Sequence, residues 1–122
     1  MKMLFAIAVA SMLTACASTS VGPTKLQSGM LTNNDGMTLY IFDNDPAGAG
    51  KSVCNGDCAA KWPPLMATAK DKAAGDYSIV TRDDGGLQWA FKGKPLYLWI
   101  KDQKPGDTTG DGVKGVWHVA KP

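Results

Sequence analysis

Past its first two dozen residues, the chain alternates short apolar runs with clusters of Gly, Asn, Asp and Pro. Each run is too short for an ordinary helix and is rich in the residues that favour strands. The pattern predicts strands over Gln27–Thr32, Met37–Phe42, Tyr77–Arg82, Leu87–Phe91, Leu96–Ile100 and Val116–Ala120. Asn33-Asn34-Asp35-Gly36, Asp83-Asp84-Gly85-Gly86 and Lys92-Gly93-Lys94-Pro95 supply the turns between them. Tyr77 to Ile100 therefore reads as a meander. In Leu96–Ile100, Tyr97 and Trp99 point one way and Leu96, Leu98 and Ile100 the other, so neither face is polar. Leu39 and Ile41 set against Tyr40 and Phe42 repeat that arrangement. Such strands are covered on both sides, which places them in the centre of a sheet. Cys54–Lys61 is the one helical candidate, with Asp57 and Lys61 spaced for a charge pair and Pro63-Pro64 as the stop. Met66–Asp76 reads as a loop or frayed turn, and Pro105–Gly115 as an exposed loop.

The two apolar-faced strands belong to a duplication. Gly36-Met37-Thr38-Leu39-Tyr40-Ile41-Phe42-Asp43-Asn44-Asp45 is echoed by Gly93-Lys94-Pro95-Leu96-Tyr97-Leu98-Trp99-Ile100-Lys101-Asp102. Gly, Leu, Tyr and Asp recur at one offset, an aromatic follows each Tyr by two positions, and each copy leads to a later tryptophan, Trp62 or Trp117. The expected fold is all-β: a small antiparallel meander or partly closed barrel built from two similar units, plus a short disulfide-clipped helical turn.

The amino terminus carries a different pattern. Lys2 precedes an apolar run from Met3 to Leu13, too short to cross a bilayer and suited to a secretory signal. Leu13-Thr14-Ala15-Cys16 resembles the bacterial lipoprotein cleavage box. The resemblance implies a signal peptide over residues 1–15, lipid on Cys16 and stable anchoring by two or more acyl chains. The alternative is an ordinary signal cut near Ala15 or Ala17. Ala17 follows the cysteine where a retention signal would place Asp, which resembles lipoproteins passed to the outer membrane of a Gram-negative host. Residues 16–25 read as a tether and 26–122 as one β-rich domain.

Composition narrows the chemistry. The 122 residues carry a formal charge of +2, which gives no electrostatic case for nucleic acid. All 11 acidic residues are Asp, and with 14 Gly and 7 Pro this disfavours long helices. With Cys16 lipidated, Cys54 and Cys58 remain as a pair, and in an exported protein a pair reads as a disulfide. A loop that small predicts only about 2 kcal/mol of stabilisation. A redox-active pair is the alternative reading of these cysteines, although their spacing differs from that of thioredoxin-type sites.

The paired units resemble the bacterial predicted lipoproteins and secreted repeats that carry a Tyr-x-(Phe/Trp/Tyr)-x-x-Asp motif. Here the motif stands as Tyr40-x-Phe42-x-x-Asp45 and Tyr97-x-Trp99-x-x-Asp102. The resemblance continues through Cys54-x-x-x-Cys58-x-x-x-Trp62-Pro63-Pro64-Leu65, Arg82-x-Asp84-Gly85 with Gln88, Pro105-Gly106-Asp107 and Gly115-Val116-Trp117. It implies an exported, often lipid-anchored small domain and brings no catalytic residues with it.

Each candidate residue has two readings. Asp45 and Asp102 stand just past strands, where a carboxylate can accept backbone N–H groups and set the exit turn, or can bind a cation or ligand. Tyr40, Phe42, Trp62, Tyr97, Trp99 and Trp117 suit an aromatic core or a binding platform. His118, the single histidine, could join Met30, Met37 and Met66 in a soft-metal site or simply face solvent. Paired-Asp hydrolysis would need Asp45 and Asp102 to meet. The sequence thus points to a non-enzymatic envelope domain, without metal or cofactor, that binds an envelope protein, polymer or small ligand or stabilises an assembly. A metal- or redox-linked periplasmic accessory protein is the alternative.

Overall fold

A computed structural model of the chain describes residues 23–122. The expected leader, Cys16 and most of the tether lie outside the described residues. The elements are short: β1 (Lys25–Gln27), β2 (Met30–Thr32), β3 (Tyr40–Phe42), α1 (Asp57–Lys61), β4 (Met66–Ala67), β5 (Tyr77–Thr81), β6 (Leu87–Phe91), β7 (Lys94–Pro95) and β8 (Trp117–Val119). All pairings are antiparallel: β1 with β2, β3 with β8, and β6 with β4, β5 and β7. The described residues thus form a set of small antiparallel sheets with one short α-helix, and the sheets do not close into a barrel.

Several elements differ from their sequence signals: Met66–Ala67, expected in a loop or frayed turn, pairs with β6 as β4, and the expected strand Met37–Phe42 narrows to Tyr40–Phe42. Gln27–Thr32 is not one strand: the chain reverses at Ser28-Gly29, both with positive φ, and pairs Gln27 with Met30. A glycine tolerates that geometry without strain, so a hairpin replaces the extended run. Leu96–Ile100 forms no continuous ladder, because its outer neighbour is Pro63-Pro64 and proline donates no hydrogen bond. Only Tyr97 bridges to Pro64 on that side, while Leu98 N–H reaches the Pro63 carbonyl at 2.7 Å. The helix covers Asp57–Lys61 rather than Cys54–Lys61, starting after Gly56 and ending before the prolines.

The two copies of the repeat lie side by side and exchange their closing segments. Tyr40 N–H donates to the Tyr97 carbonyl at 2.8 Å, and Tyr97 N–H to the Tyr40 carbonyl at 2.9 Å. Outward from this pair the bonds recur in matched sets. Ala120 N–H reaches Leu39 O at 2.8 Å, and Leu65 N–H reaches Leu96 O at 2.9 Å. Asp43 N–H reaches Val116 O at 2.8 Å, and Ile100 N–H reaches Lys61 O at 3.0 Å. The end of the first unit therefore borders the motif segment of the second, and the end of the second borders that of the first. An approximate twofold axis runs between Tyr40 and Tyr97.

Strand alternation divides the interior in two. Leu39 and Leu96, both fully buried, face a core with Leu31, Trp89, Phe91 and Ala120. Tyr40 and Tyr97, equally buried, face a second core with Phe42, Cys54, Trp62, Trp117 and Val119. Leu39, Tyr40, Leu96 and Tyr97 are fully covered on both faces, whereas Ile100 at the end of the second segment is exposed.

Candidate functional site

The tyrosines of the second core reach across the axis. Tyr40 donates its hydroxyl to Asp102 Oδ2 at 2.7 Å, and Tyr97 donates to Asp45 Oδ2 at 2.5 Å. Each tyrosine thus bonds the aspartate of the other copy. The second oxygen of each aspartate ties down a loop: Asp45 Oδ1 accepts Val53 N–H at 2.7 Å, and Asp102 Oδ1 accepts Thr109 N–H at 2.9 Å and its hydroxyl at 2.6 Å. Asp45 and Asp102 are 1% and 8% exposed, and both oxygens of each accept a hydrogen bond from the protein. Burial, then the facing aspartate, pushes both phenols well above the usual tyrosine range.

The loops return to the tyrosines. Gly110 N–H donates to the Tyr40 hydroxyl at 3.2 Å, and the Ser52 hydroxyl lies 2.6 Å from that of Tyr97. Ser52 also accepts from the buried Arg82 guanidinium, which bonds Gln88 Oε1 at 2.8 Å and the Cys54 carbonyl at 2.8 Å. Lys94 Nζ donates to the carbonyls of Phe42 and Asp45, 2.8 and 2.7 Å away, closing the exit of β3. The disulfide between Cys54 and Cys58 is formed, with Cα atoms 5.2 Å apart.

Against this frame stands a column of aromatic rings. Trp99 stacks on Trp62 with centroids 3.9 Å apart, Trp62 on Trp117 at 3.8 Å, and Trp117 on Phe42 at 4.2 Å. The order alternates between copies, with the motif aromatics at the ends and the later tryptophans in the middle. Tyr40 meets Trp62 edge-on at 5.4 Å, and Tyr97 meets Trp117 edge-on at 5.1 Å, so the axis runs through the column as well. Gly110 packs against the indoles. A Cβ there would stand 2.8 Å from Trp62 Cη2 and 3.0 Å from Trp99 Cδ1, so no larger residue fits.

Beside the column lies an open groove of about 740 Å³. All four stacked rings line it, together with Cys58 and Lys61 of α1 and with Val113 and Val116. It is of a size that takes small molecules.

The remaining candidates lie elsewhere. His118 Nε2 is 2.8 Å from Asp43 Oδ2 in an exposed pair on the far side of β8 from Trp117. Met66 is exposed, and Met30 packs against the second core. Among the described residues no group of three or more His, Cys or Asp side chains is arranged to hold a metal. Sequence reasoning missed Ser52, Lys94 and Gly110. Ser52 and Gly110 lie in the loops after the motif aspartates, where the two copies differ, and Lys94 stands where the first copy has Met37.

The chain belongs to a family described as a secreted repeat of unknown function (Lipoprotein_15), whose model matches residues 25–66 and 78–121, one for each repeat unit. That membership indicates an envelope or extracellular location. Neither curated proteins nor solved structures gave a match.

Proposed function

We propose that the protein is a non-enzymatic binding domain, held to the bacterial envelope by lipid on Cys16, that takes a ligand into the groove beside the aromatic column. In a Gram-negative host Ala17 directs it to the outer membrane. The observation that carries the binding reading is an open groove of about 740 Å³ on the repeat axis, lined by rings from both copies. Only the complete two-unit fold builds such a surface. The non-enzymatic reading is supported by the motif aspartates, whose oxygens are occupied by tyrosine hydroxyls and loop N–H groups.

The binding reading is tested by titrating the exported chain with naphthalene-2-sulfonamide, an uncharged planar probe, and following tryptophan fluorescence. Saturable quenching that disappears when Val113→Trp fills the groove is expected. Absence of saturation, or indifference to that variant, would remove the reading. The anchor is tested by labelling cells with an alkyne fatty acid. Label on the parent and none on Cys16→Ser is expected, and equal label on both would refute it.

A further inference from the structure

We propose that the ligand of this groove is a planar aromatic anion; this rests on the binding reading above. The column decides what the groove presents. Trp62 is sandwiched between Trp99 and Trp117, and Trp117 between Trp62 and Phe42, so the faces of both inner rings are covered. What they offer the groove is their edges. An aromatic ring is electron-poor at its edge, so a row of edges attracts anions and the π-face of another planar ring. A sugar would need a free ring face; the outer face of Trp99 has Lys101 Nζ over it at 5.9 Å.

The charged residues agree with the edges. Lys61, Lys101 and Lys114 line the groove against the single acid Asp57. None of these lysines forms an ion pair with a described residue. Their distribution breaks the twofold relation. Lys101 occupies the position that Asn44 holds in the first copy, and Lys61 the position that Val116 holds in the second. The Ile100–Lys61 backbone bond sets Lys61 beside the segment carrying Trp99 and Lys101. The equivalent Asp43–Val116 bond sets an uncharged pair, Asn44 and Val116, at the Phe42 end. The cationic groups therefore do not follow the duplication: Lys61 and Lys101 stand beside Trp99, and Lys114 stands just before Val116. Ammonium groups supply charge-assisted bonds to a carboxylate, sulfonate or phosphate, while the ring edges hold the planar body.

The test compares naphthalene-2-sulfonate with its uncharged isostere naphthalene-2-sulfonamide. The exported, lipidated chain is placed in lipid nanodiscs and titrated by calorimetry against empty nanodiscs. The sulfonate is expected to bind about tenfold more tightly. The triple variant Lys61→Gln/Lys101→Gln/Lys114→Gln should bring it to the sulfonamide level. Near-ultraviolet circular dichroism that matches the parent's reports that the variant is folded. Equal affinity for the two probes, or a sulfonate preference that survives the triple variant, overturns the ligand class and leaves the groove reading standing. If neither probe binds, the groove reading falls with it. Saturable heat from maltohexaose with none from the sulfonate would also overturn the proposal in favour of a glycan.

Discussion

Tyr40 and Tyr97 face each other as reciprocal partners, each donating its backbone N–H to the other's carbonyl at 2.8 and 2.9 Å. Their side chains then cross to the opposite copy, Tyr40 to Asp102 and Tyr97 to Asp45. A local reading of Tyr-x-aromatic-x-x-Asp would pair each tyrosine with the aspartate five residues on. The antiparallel contact sends it to the other unit instead.

This crossing is measurable by double-mutant cycles. Tyr40→Phe removes the donor to a buried carboxylate and should cost about 1–3 kcal/mol in urea unfolding. Its coupling to Asp102→Asn should be about 1 kcal/mol or more, and its coupling to Asp45→Asn close to none. The reverse order of couplings would contradict the crossed arrangement.

Exchange of the closing segments makes each unit incomplete alone. Residues 23–75 lack the β8 partner of β3, and residues 76–122 lack the Pro63–Leu65 partner of the second motif segment. Each fragment should show the circular dichroism of an unfolded chain, and an equimolar mixture should regain the strand signal and tryptophan packing. A single fragment that folds cooperatively by itself would count against it.

Arg82 is 2% exposed and joins the second unit to the first through Ser52 and the Cys54 carbonyl. Lysine keeps the charge but not the planar fork. Arg82→Lys should therefore lower unfolding free energy by about 3 kcal/mol, since it strands buried acceptors around a misplaced charge. A loss too small to detect in urea melts would mean that water serves those acceptors as well.

The disulfide closes a very small loop, so its removal should be mild. Cys54→Ala/Cys58→Ala should cost about 2 kcal/mol, or roughly 10 °C in melting temperature, with the fold retained. Complete unfolding of that variant at room temperature would show that the bridge organises more than its own turn.

Alkali should act through the same tyrosines. Burial chiefly, and the facing aspartates next, raise the phenols of Tyr40 and Tyr97 above their unfolded value of about 10. Above that pH the unfolded chain releases protons that the folded one keeps, which favours unfolding. The contribution is complete below about pH 10 and is lost as pH climbs from there toward the folded values. Phenolate absorbance from these two residues should appear together with loss of the near-ultraviolet dichroism. Their titration in a chain that stays folded would refute this.

Much of the architecture was written locally. The duplication shows as a constant offset, the strands β5 and β6 as apolar runs between Gly-rich turns, and the bridge as an even pair of cysteines. What sequence could not supply was the relation between the copies. Two identical patterns are compatible with separate hairpins or with exchange, and only the meeting of Tyr40 with Tyr97 selects exchange. The ring column has the same origin, since Trp62 and Trp117 become neighbours only when the closing segments trade places. Ser52 and Gly110 were invisible because they act through loop position, which no short motif encodes. The helix start and the broken ladder at Leu96 depended on single residues, Gly56 and Pro64, whose weight is seen only once a neighbour is in place.

The interleaved order Trp99, Trp62, Trp117, Phe42 ties the histories of the two halves together. A change accepted in one half alters the packing partner of the other, so neither duplicate is free to drift alone. Descendants of such a gene should diverge by paired, compensating replacements across the copies, and the loops outside the column are where independent specialisation has room to occur.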